Sequence, residues 1–248
     1  MEADVSERTL FAGQVALVTG GGSGVGRAIA LALAARGATL CLVGRRLETL
    51  QGVARELEHG SQVHCLSADL TVDDDLRRLQ HAIEQQICRI DLLIHSAGML
   101  TSGRIEHAEL ADFDRHYRVN VRAPYALTQA LLPLLIQRQG QVVFINSSAG
   151  LAAQAAAGQY AASKHALKAV ADSLRAEVNA SGVRVLSVFL GRTATPMQAA
   201  LHAQEAKLYN PDALIQPGDV ASTVVHALSL SRTAEITEIS IRPMVKPA

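Results

Sequence analysis

An α/β fold built on a doubly wound parallel sheet is predicted by three observations. Short apolar or β-branched runs alternate along the chain with longer amphipathic stretches, the rhythm of repeated βαβ units. Several of the short runs lack in-out alternation, as parallel strands covered by helices on both faces require. The length of 248 residues, set against about 150 for a typical domain, still accommodates one such domain.

The elements follow in order. Residues 15–19 read as the first strand and 25–36 as the first helix. Further strands are expected at 39–43, 63–67, 91–94, 142–146, 183–189 and 236–241, about seven in all. Two long helical patterns, near 112–137 and 160–179, carry more apolar and small residues than one buried stripe needs. The Ala-rich stretch 149–162 reads as helix-favouring. No repeat, low-complexity tract or linker divides the chain, so residues 13–248 are expected to form a single domain behind a flexible tail at 1–12.

Composition excludes several function classes. Lys plus Arg and Asp plus Glu each number 23, so the formal charge is zero. That balance lacks the basic footprint of a nucleic-acid binder, and four Tyr, four Phe and no Trp offer few stacking platforms. No apolar run is long enough to span a bilayer. Cys41, Cys65 and Cys88 are odd in number, widely separated and outside any CxxC spacing, so neither a disulfide framework nor a zinc site is indicated. The nine histidines form no HxH, HExxH or Cys/His pattern, so no metal is expected and they read as surface or core residues. The first dozen residues carry Glu2, Asp4 and Glu7 instead of a basic start and an apolar middle, which points to a cytoplasmic protein.

Three motifs carry chemistry. Directly after the first strand comes TGGGSGVG, from Thr19 to Gly26. Glycines there let the backbone approach a pyrophosphate, and a helix N-terminus favours its charge. The spacing is Thr-Gly-x-x-x-Gly-x-Gly on Gly20, Gly24 and Gly26, not GxGxxG; taken alone it also reads as a plain flexible turn. Tyr160 and Lys164, four apart, share one helix face. A phenol titrates near 10, and a neighbouring ammonium can stabilise its phenolate; in isolation the pair reads more readily as an exposed helix pair. Ser147 and Ser148 end the fifth strand, where open α/β sheets place ligands. A hydroxyl there can orient a substrate oxygen or simply cap a turn. Asn120 adds a buried-face amide that needs a partner.

With these elements in this order, the chain resembles the short-chain dehydrogenase/reductase family in its single-domain type, from about Gly13 to Pro243. The resemblance implies a Rossmann-type sheet and a nicotinamide cofactor. It implies that Asn120, Ser147, Tyr160 and Lys164 form a catalytic tetrad, Ser147 being preferred because it stands three before Gly150 and thirteen before Tyr160. Tyr160 would then act as acid and base, Ser147 would hold the reacting oxygen, and Lys164 would lower the phenol's pKa and bind the nicotinamide ribose. Asn120 would hold a water linking Lys164 to solvent. For the cofactor the resemblance implies the turn residues Gly20, Gly22, Ser23, Gly24, Val25 and Gly26. Asp69 with Leu70 would lie at the adenine, and Ser96, Ala97 and Gly98, matching the family's Asn-Asn-Ala-Gly segment, would also bind the cofactor. Tyr160 and Lys164 count here too, and Gly191, Thr193 and Thr195 would bind the carboxamide. The chain departs from the family pattern at His95 and Ser96, which replace two asparagines, and at Leu190, which replaces a proline.

An NAD site usually places an acid about twenty residues after the glycine turn. Here stand Gly44, Arg45 and Arg46. A guanidinium binds a ribose phosphate bidentately where an acid repels it. NADP(H) bound through Arg45 is therefore favoured, with NAD(H) kept open. The segments near Met99, 151–158 and 195–216 are mostly small or apolar, which points to an apolar carbonyl or secondary alcohol as a small-molecule substrate. A 3-oxoacyl thioester on a carrier protein is the rival, and it calls for a basic docking patch around Arg122, Arg138 and Lys168. A non-enzymatic cofactor-sensing subunit is a third reading, opposed by the intact tetrad. Surplus apolar positions, from Val119 and Val121 through Ala123, Ala126, Leu127, Ala130, Leu131, Leu134 and Leu135, and at Ala162, Ala166, Ala169 and Val170, imply a homodimer or homotetramer joined through these helices.

Overall fold

In the computed structural model, which describes residues 9–57 and 61–245, the seven expected strands form: β1 (Val15–Thr19), β2 (Thr39–Gly44), β3 (Val63–Ser67), β4 (Leu92–His95), β5 (Gln141–Ser147), β6 (Arg184–Leu190) and β7 (Glu238–Ile241). They make one sheet in the order β3-β2-β1-β4-β5-β6-β7, every pair parallel. Between them run α1 (Gly24–Ala34), α2 (Leu47–Arg55), α3 (Asp73–Ala82), α4 (Leu110–Tyr117), α5 (Ala123–Arg138), α6 (Gly158–Val178), α7 (Pro196–Gln204) and α8 (Pro217–Leu228).

Burial on both faces explains the missing alternation. In β1, Ala16 and Val18 join the core that α1 and α8 cover, while Leu17 joins the core beneath α3, α5 and α6. All seven residues of β6 are buried. Each fully buried Leu or Ile contributes roughly 1.5–3 kcal/mol, so apolar side chains on both faces cement the sheet between its helical layers.

Three expectations need correcting. The predicted tail is folded at its end: Phe11 is 2% exposed within the core and its N–H donates to the Arg36 carbonyl at 2.8 Å. The domain therefore begins before residue 13; residues 1–8 lie outside the described residues. The Ala-rich stretch is helical only from Gly158, because the preceding residues turn over the end of β5. The long pattern at 112–137 is α4 and α5 joined by a π turn, Arg118–Arg122, in which the Ala123 N–H reaches back five residues to the Arg118 carbonyl. One extra residue per turn is a small departure in periodicity, and such bulges concentrate at functional sites. This one carries Asn120.

Strand order reverses between β1 and β4, so the connections from their C-terminal ends leave in opposite directions. In open α/β sheets the crevice at this point binds ligands.

Candidate active site

A cleft of about 2250 Å³ occupies that crevice. One wall is the turn after β1. Gly20 has φ +66°, and a Cβ on it would lie 2.9 Å from the Ala97 amide nitrogen, so the turn tolerates no side chain there. Thr19 Oγ1 ties the turn to the neighbouring strand end, accepting from the N–H groups of Ser96 and Ala97, both at 3.1 Å. Ser23, the N-cap of α1, makes no side-chain cap bond, which leaves the first helical amides to face the cleft. A glycine cradle at a helix N-terminus fits a pyrophosphate. Gly20, Gly22, Ser23, Gly24 and Val25 line the cleft. Gly26 does not: its position is set by packing, since a Cβ would come within 2.5 Å of the Gly20 carbonyl oxygen. It lets α1 start close against the turn.

Farther along, Arg45, Asp69 and Leu70 line the cleft with Gly44 and Arg46. The Ser67 hydroxyl donates to the Arg45 carbonyl at 3.0 Å and holds that backbone in place. Burial alone would raise the Asp69 carboxyl; bonds from the Thr71 hydroxyl and amide, with Arg45 nearby, outweigh it and hold the group below the usual carboxylate range. Ser96, Ala97 and Gly98 form the floor. His95 fills the place of the family's asparagine with a buried ring, stacked on Phe144 at 4.9 Å and bonded to the Thr128 hydroxyl at 2.8 Å. Burial pushes its pKa down to about 3, so it is neutral at physiological pH.

Ser147, Tyr160 and Lys164 meet on the opposite wall. Close packing of α6 against the end of β5 brings them there. Gly150 leaves no room for a Cβ between the Asn146 side chain and the Lys164 carbonyl, each 2.8 Å away, and Asn146 Nδ2 donates to that same carbonyl at 3.1 Å. The Ser147 side chain stands close enough to the Tyr160 phenol to favour its ionised form. Lys164 donates to the Ile145 carbonyl at 3.1 Å, and its Nζ lies 5.9 Å from the Tyr160 ring centroid. The expected lowering of the phenol by Lys164 is not found. Desolvation pushes Tyr160 above its ordinary value and the neighbouring Ser147 side chain only partly offsets it. Lys164 is itself pushed down to about 8 by burial, which weakens its hold on a phenolate.

Asn120 is not on the cleft wall. Buried behind it, Asn120 accepts from the Met99 N–H at 2.9 Å and donates to the Met99 carbonyl at 3.1 Å and the Ser163 hydroxyl at 3.0 Å. Its side chain thus ties the segment after β4 to α6.

At the other end of the cleft, Gly191 donates its N–H to the Ile241 carbonyl at 2.8 Å, and Thr193 bonds back to the Gly191 carbonyl at 3.0 Å. Thr195 caps α7 through the Gln198 amide and packs its methyl group against Gly24. All three face the cleft. Here it is less apolar than the sequence implied: Arg192, Glu205 and Lys207 line it, Glu205 lying 3.6 Å from Arg192 and 3.0 Å from Lys207. The basic docking patch is also absent as a free surface. Arg122 pairs with Asp73 at 2.7 Å, Arg138 with Asp91 at 3.2 Å, and Lys168 with Asp172 and Glu238 at 2.7 and 2.6 Å. Sequence reasoning also missed His116, a buried ring against Tyr160. The signal open to it was the spacing of four from Asn120, which puts both on one helix face.

Among the described residues, no helix is long and apolar enough to cross a membrane, and no group of three or more His, Cys, Asp or Glu could hold a metal ion.

Fold and cleft together define a dinucleotide-type α/β enzyme with a Ser-Tyr-Lys wall. The chain belongs to the short-chain dehydrogenase family, whose model, described as short chain dehydrogenase, matches residues 14–206. It is similar to an uncharacterized oxidoreductase of Staphylococcus aureus strain USA300, 32% identical over 95% of this chain and 100% of that protein. Among solved structures it is similar to a putative short chain dehydrogenase of Shigella flexneri 2a complexed with NADP, 30% identical over 94% of this chain and 98% of that one, TM-score 0.86. It is also similar to one of Escherichia coli CFT073 complexed with NADPH, 31% identical over 94% and 98%, TM-score 0.85. The protein is an oxidoreductase of this family.

Proposed function

We propose that the protein is an NADPH-dependent carbonyl reductase, running in reverse as a secondary-alcohol dehydrogenase, with Tyr160 as its acid and base. The observation that carries the reading is that Ser147, Tyr160 and Lys164 line one wall of the cleft together, with the Lys164 Nζ 5.9 Å from the phenol ring centroid. A phenol held above its ordinary pKa is protonated at neutral pH, the form that reduction requires. Tyr160 gives that proton to the carbonyl oxygen, and takes one from the hydroxyl in the reverse direction. Ser147 donates to the same oxygen and orients it. Lys164, fixed by the Ile145 carbonyl, holds its Nζ 5.9 Å from the phenol ring centroid and is the residue that would bind a nicotinamide ribose. When bound, the dinucleotide supplies or accepts the hydride. Absorbance at the reduced-nicotinamide band across a panel of ketones and alcohols tests the reading: consumption of NADPH with at least one apolar ketone is expected. Tight NADPH binding with no turnover of any member would contradict it and favour a cofactor-sensing role.

Preference for the phosphorylated cofactor is supported by Arg45 on the cleft wall, by the absence of an acid at Gly44, and by the NADP and NADPH in the two similar structures. Charge-assisted bonds to a guanidinium contribute about 1.5–3 kcal/mol. Arg45→Ala is therefore expected to weaken NADPH binding by about ten- to a hundredfold and NADH binding far less. Titration of both cofactors checks this, and equal wild-type affinities would refute it.

Assembly into a homodimer or homotetramer is proposed through α4, α5 and α6. Of the residues picked from sequence, Val121, Ala123, Leu127, Leu131 and Leu135 are buried in the chain's own core, while Ala162 and Ala169 are exposed. Tyr117 and Tyr125, 50% and 53% exposed, extend the apolar face. Light scattering is expected to give an even multiple of the 26.3 kDa chain mass. A monomer across micromolar concentrations would refute the assembly.

A further inference from the structure

His116 and Asn120 stand four residues apart at the junction of α4 and the π turn, and both grip the same short segment after β4. Asn120 holds the N–H and carbonyl of Met99; His116 Nε2 accepts from the Thr101 N–H at 3.1 Å. Each also touches α6. Asn120 bonds the Ser163 hydroxyl, and the His116 ring meets Tyr160 edge to face, centroids 6.1 Å apart at 66°. The two side chains thus form a two-armed clamp between α6 and a segment whose residues Met99, Leu100 and Ser102 line the cleft. We propose that His116 is a positioning residue for Tyr160, and that it works only as the neutral imidazole.

The partners determine the tautomer. Nδ1 lies 2.7 Å from the Asp112 carbonyl, which can only accept, so Nδ1 carries the proton. Thr101 N–H can only donate, so Nε2 must offer its lone pair. A second proton on Nε2 would set donor against donor, opening the clamp on the side that seats Tyr160. The charged groups that face the ring are Asp112 and Arg115 on its own helix, paired with each other at 3.0 Å, and Lys164 on α6; the segment 99–102 brings none. Burial, with help from Arg115 and Lys164, outweighs the Asp112 carbonyl and carboxylate and holds the imidazole below its ordinary value. The clamp therefore stays closed at neutral pH and opens only in acid. Tyr160 and Lys164 titrate on the alkaline side, so an acid limb in the rate is separable from theirs.

The kinetic part of the test rests on the reductase reading; the spectroscopic part does not. With saturating NADPH and the ketone turned over best, kcat and KM are measured from about pH 5 to about pH 9 for the wild type, His116→Gln and His116→Leu. Gln offers an amide oxygen where Nε2 stood and does not titrate. Misplacing a reacting group by about 1 Å can cost up to a hundredfold, so His116→Leu is expected to lose about tenfold or more in kcat, with the KM values moving by less than about threefold. His116→Gln is expected to keep wild-type kcat within about threefold and to lose the acid limb. Nitrogen NMR of histidine-labelled, NADPH-bound protein is expected to show an unprotonated Nε2 at neutral pH. A Leu variant with wild-type kcat, or a Gln variant that keeps the acid limb, would overturn the inference. Should the Leu variant fail to fold, the Gln pH profile decides. Should no ketone be turned over, the reductase reading fails while the NMR still decides, a protonated Nε2 at neutral pH overturning the clamp.

Discussion

Tyr160→Phe is expected to lower turnover by about 10² to 10⁴-fold, the range that a positioned proton donor contributes, while NADPH affinity stays within about twofold. The change deletes one oxygen and leaves the ring, whose edge contact with His116 and place near Lys164 hold it in position. What is lost is the transferable proton. No neighbour replaces it. The Ser147 hydroxyl is too weak an acid, and Lys164 donates to the Ile145 carbonyl. Steady-state rates beside a cofactor titration check the split. A Phe variant that kept most of the wild-type rate would remove Tyr160 from the chemistry.

The second large effect is on stability. His95 is neutral in the folded protein down to about pH 3, whereas an unfolded imidazole takes its proton near pH 6.5. Above pH 6.5 both states are neutral and His95 adds no pH dependence. As pH falls below it, the unfolded chain binds a proton the folded chain refuses, so stability declines by up to about 1.4 kcal/mol per pH unit until about pH 3, roughly 5 kcal/mol in all. Urea unfolding at pH 7.5 and pH 4.5 is expected to show roughly 3 kcal/mol of loss that disappears in His95→Asn, whose side chain does not titrate in this range. His116 contributes in the same direction in both proteins and cancels in the comparison. An Asn variant with the wild-type pH dependence would refute the assignment.

What could be read from sequence was local. The strands announced themselves as apolar runs because a parallel sheet buries both faces, and β1 and β3 were placed to the residue. The strand end at Ser147 and the spacing of four between Tyr160 and Lys164 were visible as geometry, but the family pattern was needed to choose Ser147 over Ser148 and to join the three. What could not be read depends on partners far along the chain. Arg122, Arg138 and Lys168 look like a basic patch until Asp73, Asp91 and Glu238 are brought to them by the fold. Phe11 looks like part of a tail until the end of α1 receives it. The π turn is a one-residue shift inside a continuous apolar pattern, below what periodicity resolves. Asn120 was found from the family pattern, but its bonds, and those of His116, run to backbone groups that no side-chain motif records. The pKa of Tyr160 was misjudged for a related reason. The Tyr160/Lys164 spacing shows that a cation is near, not how much water both groups have lost.

Hydride transfer governed by the Tyr160 wall is the central claim, and isotope transfer tests it most directly. The enzyme is given the best ketone of the panel with NADPH carrying deuterium at the transferable position of the nicotinamide ring, and the alcohol is weighed by mass spectrometry. One deuterium on the carbinol carbon is expected from the wild type, with almost no product from Tyr160→Phe. An alcohol free of deuterium, or equal labelled product from both proteins, would contradict it.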